Sequence, residues 1–234
     1  GARYDLRRLS IQQVCELSAG FNPDSVNIDR CPVDRNFNGL SVSAGAVWQI
    51  NERFNVRLNG ASGFSPMNSY QLSAFSRTMG MNRFIVGDAA LNAEKNLQVD
   101  LGADYHTTSF FVNGSLFRNA VKDFTYASKS DSDIVIVTDT LPVYGYRQED
   151  AVLQGGDISF TLRPQSVRWI DFGVRYAWVR AEFTGKVKGN VPWQPADKLS
   201  AAVTLRKEKM GTLYNSFLQL SATNYAAQNR TASF

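Results

Sequence analysis

One histidine, His106, serves the whole chain. A Ser–His–acid triad would need that imidazole beside a serine and a carboxylate, and a zinc or haem centre needs several His, Cys or carboxylate ligands. His106 follows Asp104 by two positions in an alternating run and precedes a short turn, so it reads as a solvated turn residue. No Gly-rich phosphate loop or paired-carboxylate site accompanies it. The expectation is therefore no enzymatic chemistry, no metal site and no cofactor. Cys15 and Cys31 flank a polar loop containing Asn22, Pro23 and Asp24. In an exported protein such a pair forms a disulfide, which for a loop of this length is worth roughly 3 kcal/mol in the chain-entropy view. The other reading, a metal-binding pair, has no neighbouring histidine to complete it. Two further sets could bind rather than react. Arg57, Asp100, Asp104, Asp171 and Arg175 share one strand parity; they would line a polar interior and shape a path by opposite charge, or simply pair across strands in water. The aromatics Tyr70, Phe75, Phe84, Tyr144, Tyr146 and Trp193 fall in long connections, where they would grip a ligand or pack their own loop.

The elements that must hold these residues are strands. Leu97, Val99, Leu101, Ala103 and Tyr105 alternate with Gln98, Asp100, Gly102 and Asp104, and a second alternating run follows through Val112, Gly114 and Leu116. Strict period-2 alternation repeated strand after strand, with a polar second face, is what a membrane barrel around a wet interior requires. The pattern predicts about nine strands of near ten residues, the length a tilted crossing needs. They begin at Ala2–Val14, Leu40–Ile50 and Phe54 onward, and continue with Leu97–His106, Phe110–Tyr126 and Ala151–Leu162. Ile170–Trp178, Leu199–Leu205 and Phe217–Tyr225 complete the series. Tight turns at Asn51–Arg53 and Arg163–Gln165 alternate with long loops near 65–96, 128–147 and 185–198. Trp48, Phe54, Tyr105, Phe110, Trp169, Tyr176 and Trp178 fall near strand ends, where an interfacial girdle would sit.

Composition is compatible with this but does not reveal it. The chain is 44% hydrophobic and 20% charged, because barrel strands interleave polar and apolar residues and averaging hides the lipid-facing surface. No run of eighteen or more apolar residues is present, so no transmembrane helix is expected. The formal net charge is +4, from 25 Lys and Arg against 21 Asp and Glu. The basic residues are scattered, with no stripe or aromatic–basic platform to track phosphates, which argues against a nucleic-acid partner. Residue 1 is Gly in strand-like sequence without an export signal before it, so a processed chain or a fragment is expected. An odd strand number points the same way, since a closed bacterial barrel uses an even one.

Several segments resemble a known family. Ala61, Ser62, Gly63 and Phe64 with Pro66 and Tyr70, Gln71, Leu72 resemble the strand-to-loop motif of TonB-dependent outer-membrane receptors, Gly-aromatic-Arg-x-Pro followed by Glu-Leu. Val86, Gly87, Asp88 with Leu91 to Lys95 resemble the family's Gly-Asn then Leu-x-Pro-Glu segment. Phe117 to Phe124 resembles its aromatic-x-Asn-x-Ile-x-Asn/Asp-aromatic strand, and Gly155, Gly156, Asp157 a later Gly-x-Glu. Pro192 and Pro195 ahead of Lys198 resemble its loop prolines. The order and spacing match across roughly residues 40–200. Ser65 stands where Arg is usual, Ala93 where Pro is usual and Asp157 where Glu is usual.

The resemblance implies an all-β, antiparallel transmembrane β-barrel segment, about nine strands of a larger barrel of roughly 22 strands. Residues 1–234 would be a partial receptor barrel, with no plug domain and the final strands missing. It implies TonB-energised uptake of a scarce nutrient, a siderophore, metal complex or similar, in the outer membrane of a Gram-negative bacterium. The implied partners are outer-membrane lipid, an N-terminal plug domain of the same protein, the TonB complex through that plug, and a small-molecule ligand. Arg57, Asp100, Asp104, Asp171 and Arg175 would then face the plug, and the loop aromatics the extracellular ligand. A passive porin or autotransporter-type barrel, and a soluble β-sandwich binding module, are the rival readings.

Overall fold

A computed structural model describes residues 1–11, 33–78, 80–136, 138–210 and 212–232. The chain forms β1 (Ala2–Ile11), β2 (Val33–Asn51), β3 (Phe54–Ser65), α1 (Ser69–Ser73), β4 (Phe75–Arg77) and β5 (Phe84–Val86). It continues through β6 (Glu94–His106), β7 (Phe110–Ile136), β8 (Asp139–Leu162) and β9 (Ile170–Phe183) to β10 (Gly189–Asn190), β11 (Lys198–Met210) and β12 (Leu213–Tyr225). The twelve strands of the described residues join one sheet, whose main path runs β1-β2-β3-β6-β7-β8-β9-β11-β12. That path has the nine strands expected from alternation, each antiparallel to its sequence neighbour on the path. β1 and β12 end the path, and the sheet does not close among the described residues.

The short connections are built by side chains that substitute for the missing ladder bonds. Asn51 Oδ1 accepts from the backbone N–H of Arg53 at 2.9 Å. Thr107 Oγ1 accepts from the N–H groups of Ser109 and Phe110 at 3.2 and 3.1 Å. Such local bonds fix a tight turn and with it the register of both strands. Register then sorts the two faces. Leu58, Leu101 and Leu116 are successive Cα partners on β3, β6 and β7, and Ile158, Tyr176 and Leu199 on β8, β9 and β11. All six are exposed. A row of aromatic contacts closes this apolar face at the short-turn end: Phe54–Tyr105 at 6.4 Å, Tyr105–Phe110 at 5.7 Å and Phe110–Phe160 at 6.1 Å between centroids.

The buried cores lie elsewhere, at the end bearing the long connections. Met67, Leu72, Leu91 and Ala93 pack with Val33 and Phe37. Tyr126, Ala151, Ala181, Phe183 and Val191 form a second cluster, and Phe84, Ile134 and Leu141 a third. Two expectations need correction here. The connection near 65–96 is not a plain loop, since it contains α1, β4 and β5 and gives way to β6 at Glu94. The connection near 128–147 is mostly strand: β7 and β8 continue well past the other strands as one long hairpin, with register shifts between Val121 and Phe124 and between Lys129 and Asp133. β5 adds to this hairpin parallel to β8, pairing Phe84 with Val143. No helix among the described residues is long and apolar enough to cross a membrane.

Candidate functional site

The polar face carries its charges in closed sets near the short-turn end. Arg57 Nη1 lies 2.8 Å from Asp104 Oδ1, while Asn55 Nδ2 donates to the other carboxylate oxygen at 3.0 Å. Arg57 sits opposite Gly102 in the register, and a Cβ on that glycine would meet the Arg57 Nε at 3.4 Å. The missing side chain leaves the guanidinium its lane to the diagonal partner. Asp171 is 5% exposed and is held from two sides. Arg163 reaches it through Nε and Nη2 at 2.8 and 3.1 Å, and Arg206 Nε at 2.7 Å. Arg163 lies in the turn after β8, and its bond to Asp171 pushes its guanidinium pKa further up.

The sequence-predicted residues of this face therefore separate into local groups. Arg57 and Asp104 meet each other. Asp100 instead accepts from Gln98 Nε2 at 2.7 Å. Arg175 and Asp171 do not meet: Arg175 Nη2 donates to Asp157 at 3.1 Å, and Ser115 Oγ donates to the same carboxylate at 2.5 Å. Asp157, Arg163 and Arg206 complete these groups, beyond the residues that the sequence marks for this face. Of these, Asp157 alone has a sequence signal, the resemblance of Gly155, Gly156 and Asp157 to the family's Gly-x-Glu, and the structure places it well inside β8. His106 ends β6, where its backbone N–H donates to the Arg53 carbonyl at 2.9 Å. Among the described residues no group of three or more His, Cys, Asp or Glu is placed to hold a metal ion. Cys15 and Cys31 lie outside the described residues.

The loop-end aromatics occupy three different settings. Phe75 and Phe84 stack edge to face at 4.9 Å, with Phe84 buried in the Ile134–Leu141 cluster. Tyr146 packs half-buried against the Met67–Leu72 cluster, and burial raises its hydroxyl pKa. Arg83 covers the ring of Tyr144 at 5.3 Å. Tyr70, on α1, is exposed, and Trp193 is 93% exposed on a backbone with φ 64°. A non-glycine residue is uncommon in that region and carries backbone strain there.

Two polar anchors that sequence reasoning missed organise this end. Arg35 donates to the carbonyls of Ala89 and Leu91 at 2.8 and 3.0 Å, and Gln148 exchanges bonds with the Asn92 backbone at 2.8 Å in both directions. Together they pin the segment leading into β6. On the other side, Asp197 receives Arg180 through both terminal nitrogens at 2.6 and 2.8 Å, Tyr176 Oη at 2.9 Å and Arg230 at 3.1 Å. The Arg180 bonds lead in holding the Asp197 carboxyl down at a pKa of about 2. The same residue's carbonyl accepts from the Ala226 N–H at 2.9 Å, and Gln228 bonds the carbonyls of Gln194 and Pro195. The segment after β12 is thereby seated on the loop before β11. The described residues thus form a wall of paired charges at one end and packed, aromatic-bearing connections at the other.

Comparison with known proteins gives this geometry a context. A sequence-family model described as "TonB dependent receptor-like, beta-barrel" matches residues 1–234. No curated protein sequence matches. Among solved structures, the chain is similar to "Copper transporter OprC" with a TM-score of 0.66 at 15% identity, covering 86% of this chain and 28% of that one. The siderophore receptor PirA from Pseudomonas aeruginosa gives a TM-score of 0.59 at 17% identity, covering 83% and 36%. The FrpB iron transporter from Neisseria meningitidis, F5-1 variant, gives 0.57 at 18% identity, covering 88% and 28%. The chain thus spans about a third of the length of these structures. At such identities the likeness is one of fold.

Proposed function

This chain belongs to the TonB-dependent receptor β-barrel family, and on that premise we propose that it forms part of the wall of an outer-membrane receptor importing a scarce nutrient. The observation that carries the reading is the division of one continuous nine-strand path into two faces. Exposed leucines, valines and aromatics stand in register on one, and paired carboxylates and guanidiniums on the other. An exposed apolar face of that extent is stable where lipid replaces water, and a closed set of ion pairs is stable where water fills a lumen or a polar domain covers it. The short-turn end is then periplasmic and the end with the packed connections extracellular, in a Gram-negative outer membrane.

Residues 1–234 supply barrel wall and loops of a larger barrel, with a plug domain and further strands contributed from outside this segment. Arg57, Asp104, Asp171 and Arg175 face that plug. Asp100 shares their wall. The exposed loop aromatics, Tyr70, Tyr144 and Trp193, meet the incoming ligand, while Phe75, Phe84 and Tyr146 stiffen the loops beneath them. The ligand is an iron–siderophore or another metal complex, a reading supported by the copper, siderophore and iron transporters that share the fold.

Uptake of labelled ferric siderophores and cupric ion by cells with and without the gene tests this. Deletion is expected to lower uptake of at least one of them, and dissipating the proton-motive force to lower it equally. Uptake of all of them unchanged by deletion, or steady open-pore conductance from the purified full-length protein in a planar bilayer, overturns the reading.

A further inference from the structure

Where the apolar face meets the loop end, two lysines stand directly opposite one another. Lys95 of β6 and Lys122 of β7 are Cα partners, both exposed, on the parity that carries Leu97, Val99 and Leu101. Arg118 shares that parity on β7, with Val99 as its partner on one side and Gln154 of β8 on the other. Like charges directly opposite destabilise an antiparallel pair. Among the described residues none of these three cations has an ion-pair partner, in contrast to Arg57, Arg163, Arg175 and Arg206 on the polar face. Lys95 and Lys122 line a recess of about 400 Å³ together with Asp150. The Asp150 carboxylate accepts from the backbone N–H of Asp123 at 3.1 Å and, among the described residues, lies within ion-pair distance of neither lysine, so one negative charge stands near two positive ones. Arg180, further round on the same parity, is occupied by Asp197.

The height of the cluster identifies what would neutralise it. Lys95 lies ten positions along β6 from Tyr105 in the aromatic row, about 33 Å of strand at the usual rise and about 25 Å of depth at a barrel's tilt. That equals the thickness of an outer-membrane barrel's apolar band, so the two lysines stand at its far rim. Arg118, four positions or about 13 Å of strand deeper than Lys122, extends toward the same rim along its aliphatic stem. We propose that Lys95, Lys122 and Arg118 form a binding site for the phosphate groups of an anionic lipid in the outer leaflet. Phosphate oxygens accept from both ammonium groups and, in a planar two-bond fork, from the guanidinium. The acyl chains then lie along Leu97, Val99 and Leu116. The proposal rests on the membrane-barrel reading given above.

The test uses the full-length protein, inserted in phosphatidylcholine vesicles and then titrated with phosphatidic acid, with lipid retained on the protein read by native mass spectrometry. The wild type is expected to prefer phosphatidic acid over phosphatidylcholine by about tenfold, and K95Q/K122Q/R118Q to lose that preference. K95R/K122R is expected to keep it. Should the triple variant not fold, K122Q alone is expected to weaken retention several-fold. Equal retention by wild type and variants overturns the proposal, as does competition by inorganic phosphate at the same concentration, which would mark a site for a free anion. Insertion without anionic preference removes this site only, whereas failure of the wild type to insert removes the membrane reading itself.

Discussion

Asp197 shows how one carboxylate can hold together three stretches far apart in sequence. Tyr176 and Arg180 come from β9, Arg230 follows β12, and Asp197 itself precedes β11. Its pKa in the folded protein is about 2, below an ordinary value of 3.8. A folded value that is lowered stabilises the assembly above the ordinary pKa, and this contribution is lost as pH falls from 3.8 through about 2. The 226–230 segment is therefore expected to lose hydrogen-exchange protection across that acidic window and to keep it above. Asp197→Asn should unseat the same segment at neutral pH, at a local cost of about 2 kcal/mol, and flatten the acid dependence. Identical acid profiles for wild type and variant would show that the carboxylate is not the anchor. Asp171 differs in kind, because its two guanidiniums come from the turn after β8 and from β11, so it ties neighbouring turns rather than a distant segment.

At the scale of elements, the long β7–β8 hairpin and the small pieces between β3 and β6 stabilise each other. Leu141 is 0% exposed at the far part of β8, packed with Phe84 of β5 and Ile134 of β7. Gly87, next after β5, permits the closest approach, since a Cβ there would meet the backbone nitrogens of Ser73 and Ala74 at 2.6 Å. Leu141→Ala is expected to cost about 2–4 kcal/mol of local stability through the cavity it leaves. Limited proteolysis should then cut within 75–86 faster than in the wild type while the remaining strands keep their protection. Unchanged cleavage in that segment would mean that β5 is held by its backbone pairing alone.

The same elements show where the sequence was readable. Strands β3, β6 and β9 declare themselves because one face is apolar and the period is local. β4 and β5 are three residues each, too short to show any period. Between Ser128 and Ser132 the outer part of β7 is polar on both parities, so alternation vanishes there although the ladder continues. The partners of Asp171 and Asp197 were illegible for another reason: the pairing depends on which strands lie side by side, which no local pattern encodes.

The molecule as a whole is an inverted arrangement compared with a water-soluble sheet protein. Among the described residues the three buried clusters gather at the loop end, while the middle of the sheet exposes leucines in register, Leu58, Leu101 and Leu116. In water this would be a liability, since contiguous apolar patches of that kind promote association. Against lipid it is the required surface, and the two faces of one strand then respond oppositely to the same substitution. Leu101 lies midway between the Tyr105 row and Leu97, near the centre of the band. Leu101→Arg in the full-length protein is expected to destabilise it by about 2–4 kcal/mol in a bilayer, the depth-dependent cost of a cation on a lipid-facing position. Asn113→Arg, on the adjacent strand, points to the polar face, where its Cα partner is Asp104. There the added guanidinium remains hydrated beside a carboxylate, and a change within about 1 kcal/mol is expected. Urea titration of the two variants in lipid vesicles, followed by tryptophan fluorescence, separates these outcomes. Equal costs at the two positions would mean that both faces meet the same solvent, and with that the barrel-wall assignment would fall.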